Sequence, residues 1–267
     1  MAGTTECSLR ARRRGRPLVD GRSGETGHAS GYISYMLAHY LGWPDTEILG
    51  RTSNSRLTDI GMFQIVDGIG ARDIPAKLVK VSAPPQLPEL VVRALRMSLE
   101  RGYVQASRTE TGRLLATLAA TRAGTIAECG TGCGVGAAWL RSGAPKTTRV
   151  ITAELDPELA HGVMTMFAGD DIDVMHADWS SLAEHAPFSL IFLDAGSARG
   201  WPREDIVDLV EEGGMIVLDD FTPSQTWPPL DRGRVDTLRQ DWLADERFIS
   251  VDVMVAEDTS VIIAVKR

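Results

Sequence analysis

The chain has 267 residues, with 28 lysines and arginines against 36 aspartates and glutamates, so its formal net charge at pH 7 is −8. This acidic balance disfavours a surface that neutralises nucleic-acid phosphates, whereas small neutral or cationic partners fit it better. The three cysteines show no paired CxxC spacing, so neither a disulfide framework nor a zinc site is predicted, and a cytoplasmic location is expected.

The first 75 residues are expected to form an extension of uncertain order, ahead of a domain over residues 76–267. Proline, glycine and serine follow the arginine-rich stretch "RARRRGR" at 10–16, which argues against a signal peptide. We interpret this stretch as a solvated tail, with an arm that binds nucleic acid or another anionic surface as the alternative. The apolar run "YISYMLAHYLGW" at 32–43 is too short to span a bilayer, and no membrane partner is expected.

Two helices are predicted ahead of the first strand. Residues 88–100 and 109–124 both carry apolar side chains at helical spacing. Thr109 is a plausible N-cap of the second helix, and Gly124 is its expected stop.

Short apolar runs then alternate with segments long enough for helices or turns, which is typical of buried parallel strands. These runs span 125–129, 149–155, 172–178, 189–195 and 214–220. The β-rich end of the chain, 248–267, contains only the tight connection "AEDTS", so the last strand should turn back antiparallel. The sequence therefore predicts an α/β fold: a doubly wound, Rossmann-like sheet, mostly parallel with an antiparallel C-terminal strand, with helices on both faces.

The stretch "AECGTGCGVG" at 127–136 predicts a glycine-rich turn between the first strand and its helix, where a ligand can touch the backbone. "GCGVGA" also satisfies the dinucleotide pattern GxGxxA, so a nicotinamide cofactor is one interpretation. However, Glu128 would repel a pyrophosphate and suits a ligand with a positive amino group. A dinucleotide fold also normally continues with a second parallel half. Both features favour S-adenosylmethionine as the cofactor.

Four stretches, "AECGTGCGVG", "ITAELDPELA", "LIFLDAG" and "GGMIVLDDF", resemble the successive motifs of class I S-adenosylmethionine-dependent methyltransferases. Among these, the chain most resembles the catechol O-methyltransferase-like family, including its small bacterial members, over roughly residues 88–267. The resemblance implies transfer of a methyl group to a hydroxyl of a small, catechol-like acceptor. It also makes a homodimer an expectation, because dimers are common among proteins that resemble this one.

The resemblance assigns the methionine and ribose parts of the cofactor to two strand ends. Glu128, Gly130 and Gly132 would line the methionine part, and Gly134 would keep the turn tight. Glu154, 20 residues beyond Gly134, would accept hydrogen bonds from both ribose hydroxyls.

The adenine site is expected after the third strand. Asp178 would contact the adenine and Trp179 would pack on the ring, with an ordinary aromatic contact as the alternative for Trp179. His176, within the strand, is interpreted as a packed core histidine. Asp194 ends the fourth strand and would also contact the cofactor.

A metal site is predicted where Asp194 meets Asp219 and Asp220 at the ends of adjacent strands. Three converging carboxylates are costly without a cation, and an all-oxygen set suits Mg²⁺ or another divalent cation. The resembled family holds its metal there, and the metal would orient and activate two neighbouring hydroxyls of the acceptor, with Asp194 as catalytic residue. The family usually has Asp-Asn at 219–220 and a lysine at 197, where this chain has serine, and Arg199 is a poor proton acceptor.

This departure leaves three alternatives open: the metal alone activates the hydroxyl, one of the acids is the base, or the chemistry has diverged. Two other functions remain as alternatives. A tRNA acceptor would use the arginine run as a binding arm. A non-catalytic module would bind the cofactor without turnover.

Overall fold

The computed structural model describes residues 86–194 and 200–267, except for the side chain of Asp194. The predicted extension 1–75, its boundary at 75/76, the arginine run, Ser197 and Arg199 lie outside this part of the chain. Within it, no helix combines the length and apolarity needed to cross a bilayer.

The described chain alternates helices and strands, as predicted. The helices are α1 Glu89–Arg101, α2 Thr109–Ala119, α3 Val135–Gly143, α4 Pro157–Met166, α5 Arg203–Val207 and α6 Thr237–Ala244, with a 3₁₀ helix at Trp179–His185. The strands are β1 Thr125–Cys129, β2 Arg149–Glu154, β3 Ile172–His176, β4 Phe188–Asp194, β5 Val210–Phe221, β6 Leu230–Asp231, β7 Arg234–Val235, β8 Phe248–Ala256 and β9 Thr259–Lys266.

The predicted ends of α2 were wrong at both termini. The helix begins at Thr109, so the N-cap is Arg108, which makes no capping hydrogen bond with its side chain. Its guanidinium instead bonds the Asp258 carboxylate at 2.7 Å. The helix ends at Ala119, and Gly124, with φ of +84°, belongs to the turn that enters β1.

One sheet of seven strands carries the domain, in the order β3-β2-β1-β4-β5-β9-β8. Strands β1 to β5 pair parallel, β9 pairs antiparallel with β5, and β8 pairs antiparallel with β9. This topology confirms the predicted fold class, including the strand that turns back at the end of the chain. Because β1 lies between β2 and β4, the strand order reverses there, and a ligand crevice is expected at the carboxyl ends of these strands.

Apolar side chains alternate between the two faces of the sheet, so each face has its own core. Ile126 and Val150 face one core together with residues of α1 to α4. Ala127 and Ile151 face the other core, with residues of the 3₁₀ helix, α5 and α6. Helices therefore cover both faces, as the sequence predicts.

Helices α2 and α3 pack unusually closely, and glycines permit the approach. A Cβ atom on Gly143 would lie 2.0 Å from the backbone oxygen of Ala116. A Cβ atom on Gly112 would lie 2.1 Å from Nε1 of Trp139. The position of α3, and with it the glycine turn at its start, thus depends on residues without side chains.

Candidate active site

A cavity of about 440 Å³ opens at the carboxyl end of the sheet, within the size range of small-molecule sites. The glycine turn, strand ends and the segment between α1 and α2 form its walls. The lining residues are Tyr103, Val104, Gln105, Ala106, Ser107, Arg108, Glu128, Cys129, Gly130, Thr131, Gly132, Cys133, Val135, Gly136, Glu154, Phe192, Asp219 and Asp220. The cavity therefore brings together most of the strand-end residues that the sequence singled out.

The glycine turn exposes backbone to this cavity. Gly130, Gly132 and Gly134 have φ values of +89°, +54° and +83°, a region that side-chain-bearing residues rarely adopt. A Cβ atom on Gly130 would meet no atom within 4 Å, whereas one on Gly132 would lie 2.7 Å from the Tyr103 hydroxyl oxygen. Gly134 is the N-cap of α3, so the turn delivers the helix N-terminus beside the cavity.

Glu154 lies at the end of β2, and its carboxylate ties two turns together. Oε2 accepts a hydrogen bond from the Gly132 amide at 2.7 Å, and Oε1 accepts one from the Asp156 amide at 2.9 Å. Each carboxylate oxygen can accept a further hydrogen bond. The side chain is half-buried at the cavity wall, so it can bind hydroxyl groups of a ligand there.

Glu128 lies one strand away and is only 2% exposed. Its Oε2 accepts a 2.7 Å hydrogen bond from the Thr152 hydroxyl, whose own oxygen is 2.7 Å from the Thr131 hydroxyl. Since Thr152 donates its one hydrogen to Glu128, Thr131 must donate to Thr152 when the carboxylate is ionised. A chain of two hydroxyls thus connects the glycine turn with the buried acid.

Burial raises the pKa of Glu128 to about 8; the hydrogen bond from Thr152 lowers the pKa and the nearby Glu154 charge raises it further. In the absence of a positive ligand, Glu128 is therefore mostly neutral at pH 7. A ligand ammonium group in the cavity would favour the ionised form.

We expect Glu128→Gln to flatten the pH dependence of folding stability. In the wild type, the stability from this carboxyl group is fully present below pH 4.5 and is lost as the pH rises toward 8, because the unfolded chain releases the proton earlier. The loss is about 1.4 kcal/mol per pH unit across this window. Urea unfolding of the wild type and of Glu128→Gln at pH 5 and pH 8 measures this loss. An equal pH dependence of the free energy of unfolding in the two proteins would contradict the buried neutral carboxyl group.

Asp219 and Asp220 lie at the end of β5, next to the end of β4. The backbone positions of Asp194 and Asp219 are paired in register across these strands. Asp219 is 5% exposed and accepts a 3.2 Å hydrogen bond from the Thr111 hydroxyl of α2. Asp220 is exposed and has a φ of +64°, an uncommon backbone state for a residue with a side chain.

The described side chains form no group of three histidine, cysteine or carboxylate ligands that could hold a metal ion. Because the Asp194 side chain is outside that set, the predicted trio of Asp194, Asp219 and Asp220 stays a prediction.

The predicted adenine residues lie outside the cavity wall. Asp178 is exposed and caps the 3₁₀ helix by accepting a hydrogen bond from the Ser180 amide. Hydrogen bonds from the Ser180 hydroxyl, first, and from this amide lower the pKa of Asp178. Trp179 stacks on Trp201, with ring centroids 3.9 Å apart. His176 is exposed on β3, at the edge of the sheet, so its interpretation as a core residue was wrong.

Charges around the cavity have mostly one sign. Glu154, Asp219 and Asp220 line it beside Glu128, which ionises when a positive ligand is present, and Arg108 is the one arginine or lysine among the lining residues. Arg108 is itself paired with Asp258. Such a cavity suits a cationic ligand and disfavours a pyrophosphate.

Sequence reasoning missed the contribution of residues 103–108. The chain turns sharply after α1, because Gly102 adopts a left-handed conformation and the Tyr103 amide donates to Ser98. This turn places Tyr103 against the glycine turn. In the sequence, the signal for this turn was Gly102, followed by Tyr103, directly after the periodic apolar pattern of α1. Trp227, in the segment after β5, is 65% exposed and does not line the cavity.

No family model matches the chain, and no curated protein matches it significantly. Solved structures do match. A methyltransferase from Geobacter sulfurreducens is 17% identical, with a TM-score of 0.55 over 68% of this chain and 90% of that one.

Two further structures are similar to a comparable extent. The O-methyltransferase from Bacillus cereus in complex with S-adenosylhomocysteine (SAH) is 20% identical, with a TM-score of 0.54 over 70% of this chain and 94% of that one. The O-methyltransferase TomG from Streptomyces achromogenes, solved with S-adenosylmethionine, is 19% identical, with a TM-score of 0.54 over 68% and 91%. This chain has the Rossmann-like methyltransferase fold. In this methyltransferase fold the cavity occupies the crevice at the switch point of the sheet.

Proposed function

We propose that the protein is an S-adenosylmethionine-dependent O-methyltransferase that acts on a small hydroxylated acceptor. One observation carries the proposal: the glycine turn, the Glu154 carboxylate and the Asp219-Asp220 pair line one acidic cavity at the switch point of the sheet. The O-methyltransferases of similar fold, solved with S-adenosylmethionine or S-adenosylhomocysteine, support the choice of cofactor.

The residues present fit this cofactor. The open space at Gly130 leaves room for a ligand against the backbone, and Glu154 has acceptor capacity for two ribose hydroxyls. Glu128 would supply a negative charge near the amino group. Asp178 and Trp179 follow β3 and stay the predicted adenine contacts, although they lie outside the cavity wall and Trp179 is stacked on Trp201.

When bound, S-adenosylmethionine supplies an activated methyl group on a sulfonium centre. The chain's own contribution is then largely orientation: the turn and Glu154 hold the cofactor, and the acids at the β5 end hold the acceptor hydroxyl. Thr111 fixes one Asp219 oxygen from α2, so this carboxylate is positioned before any ligand arrives. Asp219 or Asp220 can take the proton that the acceptor loses.

A divalent cation at Asp194, Asp219 and Asp220 belongs to the same proposal, with Mg²⁺ as the first candidate. We expect Asp194→Asn to lower activity and its response to Mg²⁺ together, by roughly tenfold or more, because one anionic ligand is lost. Initial rates across a Mg²⁺ titration measure this. A variant that keeps the full metal response of the wild type would rule out Asp194 as a ligand.

The test of the function is transfer of label from methyl-labelled S-adenosylmethionine to a panel of catechols and simple phenols, with Mg²⁺ or with a chelator. We expect labelled product with at least one catechol. Binding of the cofactor without transfer to any acceptor would instead support the non-catalytic module. Salt-sensitive transfer to tRNA would move the acceptor to nucleic acid.

Partners and location follow as parts of the proposal. The acidic cavity fits a small-molecule acceptor better than a polyanion. The two described cysteines, Cys129 and Cys133, are free and buried, in keeping with the proposed cytoplasmic location. The homodimer remains a prediction, which size-exclusion chromatography with light scattering would test.

A further inference from the structure

The outer hairpin of the sheet, β8 with β9, leaves the outer part of one of its two faces uncovered. On the first face, Phe248 and Ile262 belong to the same core as Trp242 of α6. On the opposite face, Ile249 is 63% exposed and Val251 is 51% exposed. No described element therefore covers these two side chains.

The uncovered face is a continuous apolar strip. Ile249 pairs with Val265 and Val251 pairs with Ile263 across the hairpin, and Val253 is half-buried beside them. This apolar strip is defined as Ile249, Val251, Val253, Ile263 and Val265. Its members Ile263 and Val265 pack against the core that α1 to α4 cover, and the exposed Ile249 and Val251 continue that apolar surface outward. Contiguous apolar surface of this kind usually has an interaction partner, and a doubly wound sheet normally carries helices on both faces.

The same chain contains a segment that needs such a surface. In the run 32–43, residues Ile33, Met36, Leu37, Tyr40 and Leu41 follow the spacing i, i+3, i+4, i+7, i+8, which predicts one apolar face of a helix. The run contains no aspartate, glutamate, lysine or arginine. It is too short to span a membrane, and the proposed chemistry does not use it.

We propose that residues 32–43 dock on the apolar strip and complete the helix layer on this face of the sheet. The chain from residue 44 to 85 can span about 140 Å when extended, so it can reach the strip from the start of α1. As a flexible chain it would have a root-mean-square span of about 35 Å. A tether of this length keeps the segment at a high effective concentration beside the domain, which favours it over an untethered partner.

The test is thiol labelling of the full-length chain at two positions of β8. Val251→Cys lies on the apolar strip, and Met254→Cys, on the opposite face of the same strand, is the matched control, since Met254 is 63% exposed. Both variants carry Cys7→Ser, so the remaining native thiols are the buried Cys129 and Cys133. Labelling is read peptide by peptide, which separates the introduced thiol from these two. We expect the thiol at 251 to react at least tenfold more slowly than the thiol at 254.

A second substitution identifies what covers the strip. Adding Leu37→Asp should restore fast labelling at 251 and leave labelling at 254 unchanged. Equal rates at 251 and 254 in the parent protein would overturn the proposal. A slow labelling rate at 251 that Leu37→Asp leaves unchanged, but that increases when the protein is diluted, would also overturn the proposal. It would assign the strip to a second copy of the chain. A slow labelling rate at 251 that neither Leu37→Asp nor dilution changes would equally reject residues 32–43 as the segment that covers the strip.

Discussion

Glu154→Ala is expected to weaken binding of S-adenosylhomocysteine by roughly 100-fold, corresponding to about 3 kcal/mol. In the wild type the carboxylate can accept from two ribose hydroxyls, and hydrogen bonds to a charged group contribute about 1.5–3 kcal/mol each. The variant also leaves the Gly132 and Asp156 amides without their acceptor, which loosens the glycine turn that faces the cofactor. Isothermal titration calorimetry on both proteins measures the change in affinity.

The matched control is Glu158→Ala, because Glu158 is an exposed acid in the first turn of α4 and does not line the cavity. Its affinity for S-adenosylhomocysteine should equal that of the wild type. The melting temperature of Glu154→Ala should fall by roughly 10 °C without loss of cooperative unfolding, since each of the two lost amide hydrogen bonds to the charged carboxylate contributes about 1.5–3 kcal/mol to folding. Unchanged affinity in Glu154→Ala would show that the ribose assignment is wrong.

Gly143→Ala is expected to destabilise the domain by about 3 kcal/mol, at the upper end for overpacking. The new Cβ atom would lie 2.0 Å from the backbone oxygen of Ala116 and 2.5 Å from its carbonyl carbon. Backbone atoms cannot rotate away, so α2 and α3 must separate and their shared core must open. Urea unfolding measures the change in the free energy of unfolding. The affinity of the cavity for S-adenosylhomocysteine should also fall, because α3 shifts.

Gly162→Ala in α4 is the matched control. Its Cβ atom would meet only the far ends of Arg101 and Met97, which can move aside. Alanine is also the better helix former, by up to about 1 kcal/mol. We therefore expect Gly162→Ala to be neutral or stabilising. A Gly143→Ala protein as stable as the wild type would mean that the two helices pack less tightly than described.

The sheet could be predicted from the sequence because its strands are buried apolar runs with helix-length connections. The run at 125–129 matches β1 at both ends, and the tight "AEDTS" connection correctly indicated the antiparallel β9. Helix ends were less predictable. Arg108 bonds Asp258, 150 residues away in sequence, and no local pattern around Thr109 contains that contact.

The candidate site was predictable only in part, for a similar reason. Strand ends converge by topology, so Glu128, Glu154 and Asp219 could be assigned to one crevice before any coordinates. The roles of Tyr103, which lines the crevice, and Thr111, which bonds Asp219 from α2, could not be predicted, because both depend on how α1 and α2 pack on the sheet. The exposure of His176 follows from the edge position of β3, which depends on the strand order rather than on the local sequence.

The most direct test of the central claim is a calorimetric titration of the full chain with S-adenosylhomocysteine, with a nicotinamide dinucleotide as the comparison ligand. We expect one site per chain with a dissociation constant on the order of micromolar for S-adenosylhomocysteine, and no measurable binding of the dinucleotide to the acidic cavity. Binding of the dinucleotide in preference to S-adenosylhomocysteine, or binding of neither ligand, would contradict the assignment of the glycine turn.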